Sequence, residues 1–195
     1  MPVLMNTTDQ TSEGDTAGSD PSEPSEPPQP PEPACSGGDR VLEIIDRTRR
    51  LEGDELELLR DGLERLIERL EGRCVRLTVE VVDDARMCLL HQRWHDDPST
   101  TDVLTFPMSE PGEPIDVDVA CCLDEAERRA LGLGHERVRE LILYALHGLL
   151  HVAGFDDHDE ESFRAMHAEE DRLLESVGLG AIFAPRSGPA REGDS

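Results

Sequence analysis

The sequence ERVRELILYALHGLLHVAGFDDH occupies residues 136–158. Apolar side chains recur on most faces from Leu141 to Val152, which predicts a largely buried helix over residues 136–152. Gly154 follows this helix and permits a sharp turn of the chain. A helix that is apolar on most sides must be covered by other elements, so this segment predicts a central helix in a layered fold.

Shorter apolar patterns before and after this helix supply the covering elements. Apolar runs and alternating apolar residues predict four strands, at residues 41–45, 73–82, 103–106 and 117–123. Helical spacing of apolar residues predicts four further helices, at residues 54–70, 84–94, 124–131 and 159–177. This order predicts an α/β (α+β) fold of one domain, in which helices cover a mixed four-stranded sheet.

The two ends of the sequence differ in composition from the rest. Residues 1–39 contain eight prolines, eight acidic residues and no arginine or lysine, and this composition predicts a disordered acidic tail. Residues 185–195 are rich in glycine, proline and charge, and predict a second disordered tail. The folded domain is therefore expected over residues 40–180.

Charge and cysteine content restrict the kinds of binding site and the cellular compartment that are expected for this protein. The formal net charge is −25 and the basic residues are all arginines, which argues against generic binding of nucleic-acid phosphates by a basic patch. Five cysteines occur without a Cys-x-x-Cys pair, which indicates neither a disulfide framework nor a cysteine zinc site. Because no long apolar span and no signal-peptide pattern is found, a cytoplasmic protein is expected.

Three histidines form a candidate metal site. His147 and His151 are four residues apart on the predicted helix, so their imidazoles project from one face. His158 lies just after Gly154 and is predicted to fold back as a third ligand. Three protein ligands would hold one Zn²⁺ and leave a position open for water, which is typical of a catalytic site. The alternative is that His147 and His151 are hydrogen-bonded core residues.

The same pattern leaves a second class of hydrolase open. Zinc peptidases carry a glutamate as general base between two histidine ligands in the motif His-Glu-x-x-His, and Gly148 occupies that position here. The spacing of the ligands still resembles that of peptidases with an extended zinc motif. A zinc-dependent peptidase-like hydrolase is therefore the alternative function.

Several segments together resemble the YbeY family. Residues 147–158, HGLLHVAGFDDH, are similar to the family signature His-Gly-x-Leu-His-Leu-x-Gly-Tyr-Asp-His. Residues 101–107, TDVLTFP, resemble the family segment Thr-Asp-Val-Leu-Ser-Phe-Pro. Residues 118–126 and the pair Gly134-His135 also match in order and spacing. The resemblance covers roughly residues 40 to 180.

The resemblance implies a function for the predicted site. Members are single-domain, cytoplasmic, metal-dependent endoribonucleases that cleave single-stranded RNA in ribosomal RNA maturation, including the 3′ end of 16S rRNA, and in ribosome quality control. His147, His151 and His158 carry over as zinc ligands. The implied partners are ribosomal RNA, the small ribosomal subunit and its assembly proteins, with no membrane and no nucleotide cofactor. A non-catalytic ribosome-assembly factor with a structural zinc is a further alternative.

Two departures from the family pattern affect the predicted site residues. One extra residue separates His151 from His158, so Asp157 stands where a strict count places the last ligand, and a His-His-Asp site is an alternative. His95 occupies the position of a family arginine that could hold a phosphate, and Arg93 is a possible substitute. Candidates for proton transfer are Asp156, Asp157 and His95.

The remaining polar residues near these motifs have simpler interpretations. His91 and His95 could line the cleft, but solvent-exposed positions are expected for both. His135 is expected to begin a helix and His167 to lie on an acidic exposed face. Asp102 resembles a family position beside the site, although it is equally suited to cap or brace a strand.

Overall fold

A computed structural model describes residues 40–70 and 73–183 of the chain. The described strands are β1 (Val41–Asp46), β2 (Cys74–Val82), β3 (Val103–Pro107) and β4 (Ile115–Cys122). The described helices are α1 (Gly53–Arg69), α2 (Asp84–His95), α3 (Leu123–Leu133), α4 (Arg137–Val152) and α5 (Glu160–Ser176). The disordered tails predicted at residues 1–39 and 185–195 lie outside the described residues.

The four strands form one sheet in the order β1-β2-β4-β3. Strand β2 pairs in parallel with β1 and β4, and Val79 lies opposite both Ile44 and Val119. Strand β3 pairs antiparallel with β4 and occupies the edge of the sheet. This arrangement confirms the predicted mixed four-stranded sheet covered by helices.

Helix α4 lies in the main core, as its apolar composition predicts. The core joins one face of the sheet to helices α1, α4 and α5, and includes Val79 and Val119 from the central strands. Leu141, Leu146 and Leu149 on α4 have no exposed surface. Each buried leucine stabilises the fold by roughly 1.5–3 kcal/mol relative to an exposed one, so this helix is fixed in position by its packing.

The opposite face of the sheet is covered mainly by helix α2. A smaller cluster contains Met87 from α2 together with Val82, Leu104, Ala120 and Cys122. Beyond α2 the face is polar, and Arg76 contacts Asp116 at 2.5 Å and Asp118 at 2.6 Å. One face of the sheet is therefore apolar and packs against helix α4. The other face is apolar under α2 and polar beyond it.

The start of α3 differs from the sequence-based expectation for a tertiary reason. The helix predicted from residue 124 begins at Leu123, so Asp124 lies in its first turn. The Asp124 carboxylate instead accepts a 2.7 Å hydrogen bond from the backbone N–H of Asp84 and pairs with Arg50 at 2.5 Å. It therefore connects the start of α2 to α3, a long-range partner that local sequence does not reveal.

Helix α4 approaches the edge strand β3 closely at Gly148. A Cβ atom placed on Gly148 would lie 2.4 Å from Oγ1 of Thr105. No side chain fits there without movement, so the glycine sets the distance between the helix and the strand. This contact also explains why the helix has no glutamate at position 148.

We predict that Gly148→Ala destabilises the protein by about 1–3 kcal/mol, because the added methyl group overpacks this contact. Chemical denaturation measures the change in the free energy of unfolding. The matched control is Gly132→Ala in α3, where an added Cβ has nothing within 4 Å, and this change should stabilise by about 0.5–1 kcal/mol. In a Thr105→Ala background the cost of Gly148→Ala should largely disappear; an undiminished cost would contradict the clash.

Candidate metal centre

The last turns of α4 and the following loop bring three metal-ligating side chains together. The Nε2 atoms of His147 and His151 are 3.0 Å apart. Oδ2 of Asp157 lies 3.8 Å from the first and 3.9 Å from the second of these atoms. The three ligand atoms fall within 4.8 Å of one another. They therefore converge on one point at the C-terminal end of the buried helix.

The other nitrogen of each imidazole is already occupied. Nδ1 of His147 lies 2.8 Å from Oε1 of Glu170, and Nδ1 of His151 lies 3.2 Å from the carbonyl oxygen of Phe155. A carbonyl oxygen only accepts, and a carboxylate likewise accepts, so both Nδ1 atoms carry the hydrogen. In the neutral rings both Nε2 atoms then present lone pairs to each other.

Two facing lone pairs beside a carboxylate form an electron-rich pocket. Without a positive charge between them, the Nε2 atoms of His147 and His151 would repel each other at this distance. A divalent cation or a proton removes that repulsion, and neutral imidazole and carboxylate are both zinc ligands. The donor set therefore fits a metal ion.

Electrostatics at His147 agree with this description. Burial lowers the pKa of His147, but the hydrogen bond and charge of Glu170 and the charges of Asp102 and Asp157 oppose burial, and the net pKa is raised. The surroundings thus favour positive charge at this ring. A metal ion supplies the same charge that the proton would.

Glu170 on α5 is a site residue that the sequence analysis missed. Its side chain has no exposed surface, and it bonds His147 through Oε1 and Nδ1 of His167 through Oε2, the latter at 2.5 Å. Buried carboxylates require such partners. The available signal was a glutamate on the core-facing side of an amphipathic helix, near Met166 and Leu173, which are buried.

His167 does not lie on an exposed face as expected. Its ring stacks on Phe183 with centroids 3.8 Å apart and meets Phe163 edge-on at 4.0 Å. The hydrogen bond to Glu170 holds it inward. The expectation was wrong because one of the acidic neighbours in sequence, Glu170, is buried, and Phe183 covers the ring from outside the helix.

His158 lies apart from the facing histidines. Its side chain is 83% exposed, and Nδ1 contacts the carboxylate of Asp156 and lies 3.6 Å from Oδ1 of Asp157. The structure groups His158 with Asp156 and Asp157, and groups Asp157 also with His147 and His151. The assignment of His158 as the third ligand stays a prediction.

Asp156 is held as an ionised carboxylate. The backbone N–H of Asp157 lowers the pKa of Asp156, and the His158 side chain adds to this effect. A lowered pKa makes a carboxylate a weaker base. The role of Asp156 in proton transfer stays a prediction.

The remaining candidate residues lie around the centre. His91 and His95 line a cavity of about 430 Å³ together with His151. His95 is exposed as expected, whereas His91 is half-buried and its Nδ1 contacts the carbonyl oxygen of Ser99 at 2.9 Å. Asp102 braces the start of β3 by accepting a 2.9 Å hydrogen bond from the backbone N–H of Val103.

His135 lies elsewhere in the fold. It immediately precedes α4, close to its expected place at the start of that helix. Its Nε2 is 2.6 Å from Oε1 of Glu140, and both side chains are nearly covered. The pair is a buried polar contact that the described structure does not connect to the metal centre.

Comparison with known proteins identifies the family. The sequence pattern of the family described as Endoribonuclease YbeY matches residues 46–178. A protein named endoribonuclease YbeY from Acidothermus cellulolyticus is 36% identical over 153 residues, which are 71% of this chain and 92% of that protein. The chain belongs to the YbeY family of endoribonucleases, and the resemblance seen in the sequence is confirmed.

Further relatives and one solved structure agree with this placement. The proteins of the same name from Micrococcus luteus and Mycobacterium tuberculosis are 35% and 37% identical over 135 and 113 residues, respectively. These matches cover 63% and 52% of this chain, and 86% and 64% of the relatives. A solution structure from Thermotoga maritima matches in fold, with a TM-score of 0.50 and 24% identity over 69% of this chain and 90% of the other.

Within residues 40–70 and 73–183, none of the helices has the length and apolar character needed to cross a bilayer.

We predict that Glu170→Gln lowers the affinity for Zn²⁺ by about 10–100-fold, the usual effect of altering a partner that orients a metal-bound histidine. Glutamine keeps an acceptor oxygen for His147 but removes the charge. Isothermal titration of the metal-free protein with Zn²⁺ measures the affinity. Glu175→Gln on the exposed side of the same helix is the control, and equal affinities for the two variants would contradict the role of Glu170.

Proposed function

We propose that this protein is a metal-dependent endoribonuclease that cleaves single-stranded RNA. The observation that carries the proposal is the pair of facing Nε2 atoms of His147 and His151, whose Nδ1 atoms are both committed to acceptors. Membership of the YbeY family supplies RNA as the substrate. The geometry of the facing histidines supports this centre as the metal site.

We further propose His147, His151 and Asp157 as the ligands of one Zn²⁺. Two imidazoles and one carboxylate are a donor set of catalytic zinc sites, and three protein ligands leave a position open. When bound, such an ion supplies an acidified water and a Lewis acid for a phosphoryl oxygen. The exposed position of His158 favours Asp157 as the third ligand.

The residues around the ligands prepare the site in defined ways. Glu170 fixes the ring of His147 and keeps its Nε2 free for the ion. The carbonyl oxygen of Phe155 does the same for His151. Because both rings stand on a helix held in the core, the ligands are positioned by rigid structure before the ion binds.

The substrate within the cell follows from the family. We propose ribosomal RNA as the target, with maturation of the 3′ end of 16S rRNA and ribosome quality control as the processes. The small ribosomal subunit and its assembly proteins are then the partners, and the cytoplasm is the place of action. Supporting these assignments is the likeness to endoribonucleases of the same family.

The two alternative functions have less support. A peptidase of the His-Glu-x-x-His type needs a carboxylate at position 148, and Thr105 leaves no room for one. A structural zinc is normally enclosed by four protein ligands. Here His147 is 24% and His151 33% exposed at the side chain, so the centre is open to solvent.

We predict that His147→Ala and His151→Ala each abolish stoichiometric Zn²⁺ binding and RNA cleavage together, because two remaining ligands cannot hold an open-coordinated ion tightly. Metal analysis by mass spectrometry and cleavage of a labelled single-stranded RNA measure the two effects. Metal loss with undiminished cleavage would assign the ion a structural role. Full metal occupancy in both variants would make these residues ordinary core histidines.

A second pair of variants identifies the third ligand. We predict that Asp157→Ala loses the ion, whereas His158→Ala retains it at full stoichiometry. The two residues are neighbours in the same loop, so each variant is the control for the other. Metal loss in His158→Ala with retention in Asp157→Ala would reverse the assignment and restore His158 as the ligand.

A further inference from the structure

The protein has a net charge of −25, so a polyanion such as RNA needs a binding surface with few negative charges. The cavity of about 430 Å³ beside the metal centre differs from the rest of the surface in this respect. Its lining includes His91, His95 and His151, and none of its described lining residues is an aspartate or a glutamate. The chain has 44 acidic residues, so a wall without them is unusual for this protein.

A second large cavity provides the contrast. It has a volume of about 560 Å³ and is lined by five carboxylates, those of Glu52, Asp54, Glu55, Glu127 and Glu136. A phosphate backbone would be repelled there. Of these two cavities, the one at His151 is therefore the better place for a nucleic acid.

The acidic residues next in sequence to the lining residues have hydrogen-bond partners of their own, and Asp102, between Thr101 and Val103, accepts hydrogen bonds from both of these neighbours. Asp96 accepts a 2.7 Å hydrogen bond from Gln92, and Asp97 accepts a 2.8 Å bond from the backbone N–H of Ser99. Both carboxylates thus have local partners and take no part in the lining. The imidazole of His95 and the hydroxyl group of Thr105 remain to donate hydrogen bonds to phosphate oxygens.

The cavity lies beside the metal centre and at the edge of the sheet. His151 and Val152 from α4 form one side, His91 and His95 from α2 form the other, and the edge strand β3 lies between. An extended chain laid across β3 would reach the metal ligands at one end. At the other end it would reach the last turn of α2.

A pair of aromatic residues, Trp94 and Phe106, lies next in sequence to the lining residues His95, Thr105 and Pro107. Trp94 is 59% exposed, although it is the only tryptophan in the sequence. Its ring meets Phe106 edge-on with centroids 5.6 Å apart, and the guanidinium of Arg93 lies 5.5 Å from the ring centroid. Phe106 fixes one edge of the ring and leaves much of its surface to solvent. Tryptophan with a neighbouring arginine is a platform on which nucleic-acid bases stack.

We infer that this cavity is the RNA-binding groove and that Trp94 stacks an unpaired base of the substrate. The inference rests on the proposed endoribonuclease function and adds a reason for selecting single-stranded over double-stranded RNA. A base in a duplex has both faces covered, whereas an unpaired base offers a free face to Trp94. Stacking also contributes affinity that does not depend on positive charge, which suits an acidic protein.

The test uses the single tryptophan as its own reporter. The full-length, metal-loaded protein is mixed rapidly with a short single-stranded RNA, and the emission of Trp94 is recorded before cleavage occurs. We expect the RNA to quench the emission. A duplex of the same sequence and a strand with abasic positions should not.

Variants separate stacking from general effects on the fold. Trp94→Ala should weaken binding of fluorescently labelled RNA by about 5- to 100-fold, the range associated with loss of one base–aromatic stack. Trp94→Phe should retain most of the affinity. Leu89→Ala changes another exposed side chain on α2, 66% exposed, and should leave binding unchanged. Zn²⁺ stoichiometry and thermal midpoint are compared throughout, so that a folding defect is recognised.

Each outcome decides a separate claim. Equal quenching by duplex or abasic strands, or unchanged affinity in Trp94→Ala, would overturn the stacking site while RNA cleavage by the parent protein keeps the proposed function. Quenching by an unstructured peptide but not by RNA would assign the groove to a polypeptide and overturn the inference. Absence of RNA cleavage by the metal-loaded parent would overturn the proposed function itself.

Discussion

The hydrogen bond from His147 to Glu170 is the interaction on which the rest of the centre depends. A carboxylate without solvent exposure is costly unless it is paired, and Glu170 has an imidazole at each oxygen. The bond fixes the position of α5 against α4 and at the same time determines which nitrogen of His147 faces the ligand site. Structure and chemistry are coupled at this one residue, because the same contact satisfies the core and orients the ring.

Much of the fold could be predicted from periodicity. Helix α4 and strand β2 carry continuous apolar patterns, and both appear within a residue or so of the predicted ends. Strand β4 begins at Ile115, two residues before its predicted start at residue 117. The prediction began later because Asp116 is polar, but in the sheet this residue pairs with Arg76. Local pattern therefore located the buried elements well, but not the ends that are set by a partner distant in sequence.

The site was only partly predictable for the same reason. The four-residue spacing placed His147 and His151 together, since that geometry is a property of the helix itself. The place of Glu170 depends on how α5 packs against α4, and no spacing rule brings it to the centre. The choice between Asp157 and His158 depends on the direction of two neighbouring side chains in a loop, which sequence spacing alone does not determine.

The segment from His147 to Glu170 carries all the proposed ligands and the buried carboxylate that orients one of them. This continuity has a consequence for the order in which the structure is stabilised. Contacts between residues close in sequence require little loop-closure entropy, so the contacts within the unit formed by α4, its loop and α5 close at a small entropic cost. The loop is fixed at both ends, by the backbone bond from Phe155 to Leu150 and by the Asp159 cap of α5. An ion bound within this unit stabilises it against local opening more than it stabilises the distant strands. Metal binding should therefore slow hydrogen exchange at the backbone amides of α4 and α5 before it slows exchange in the strands.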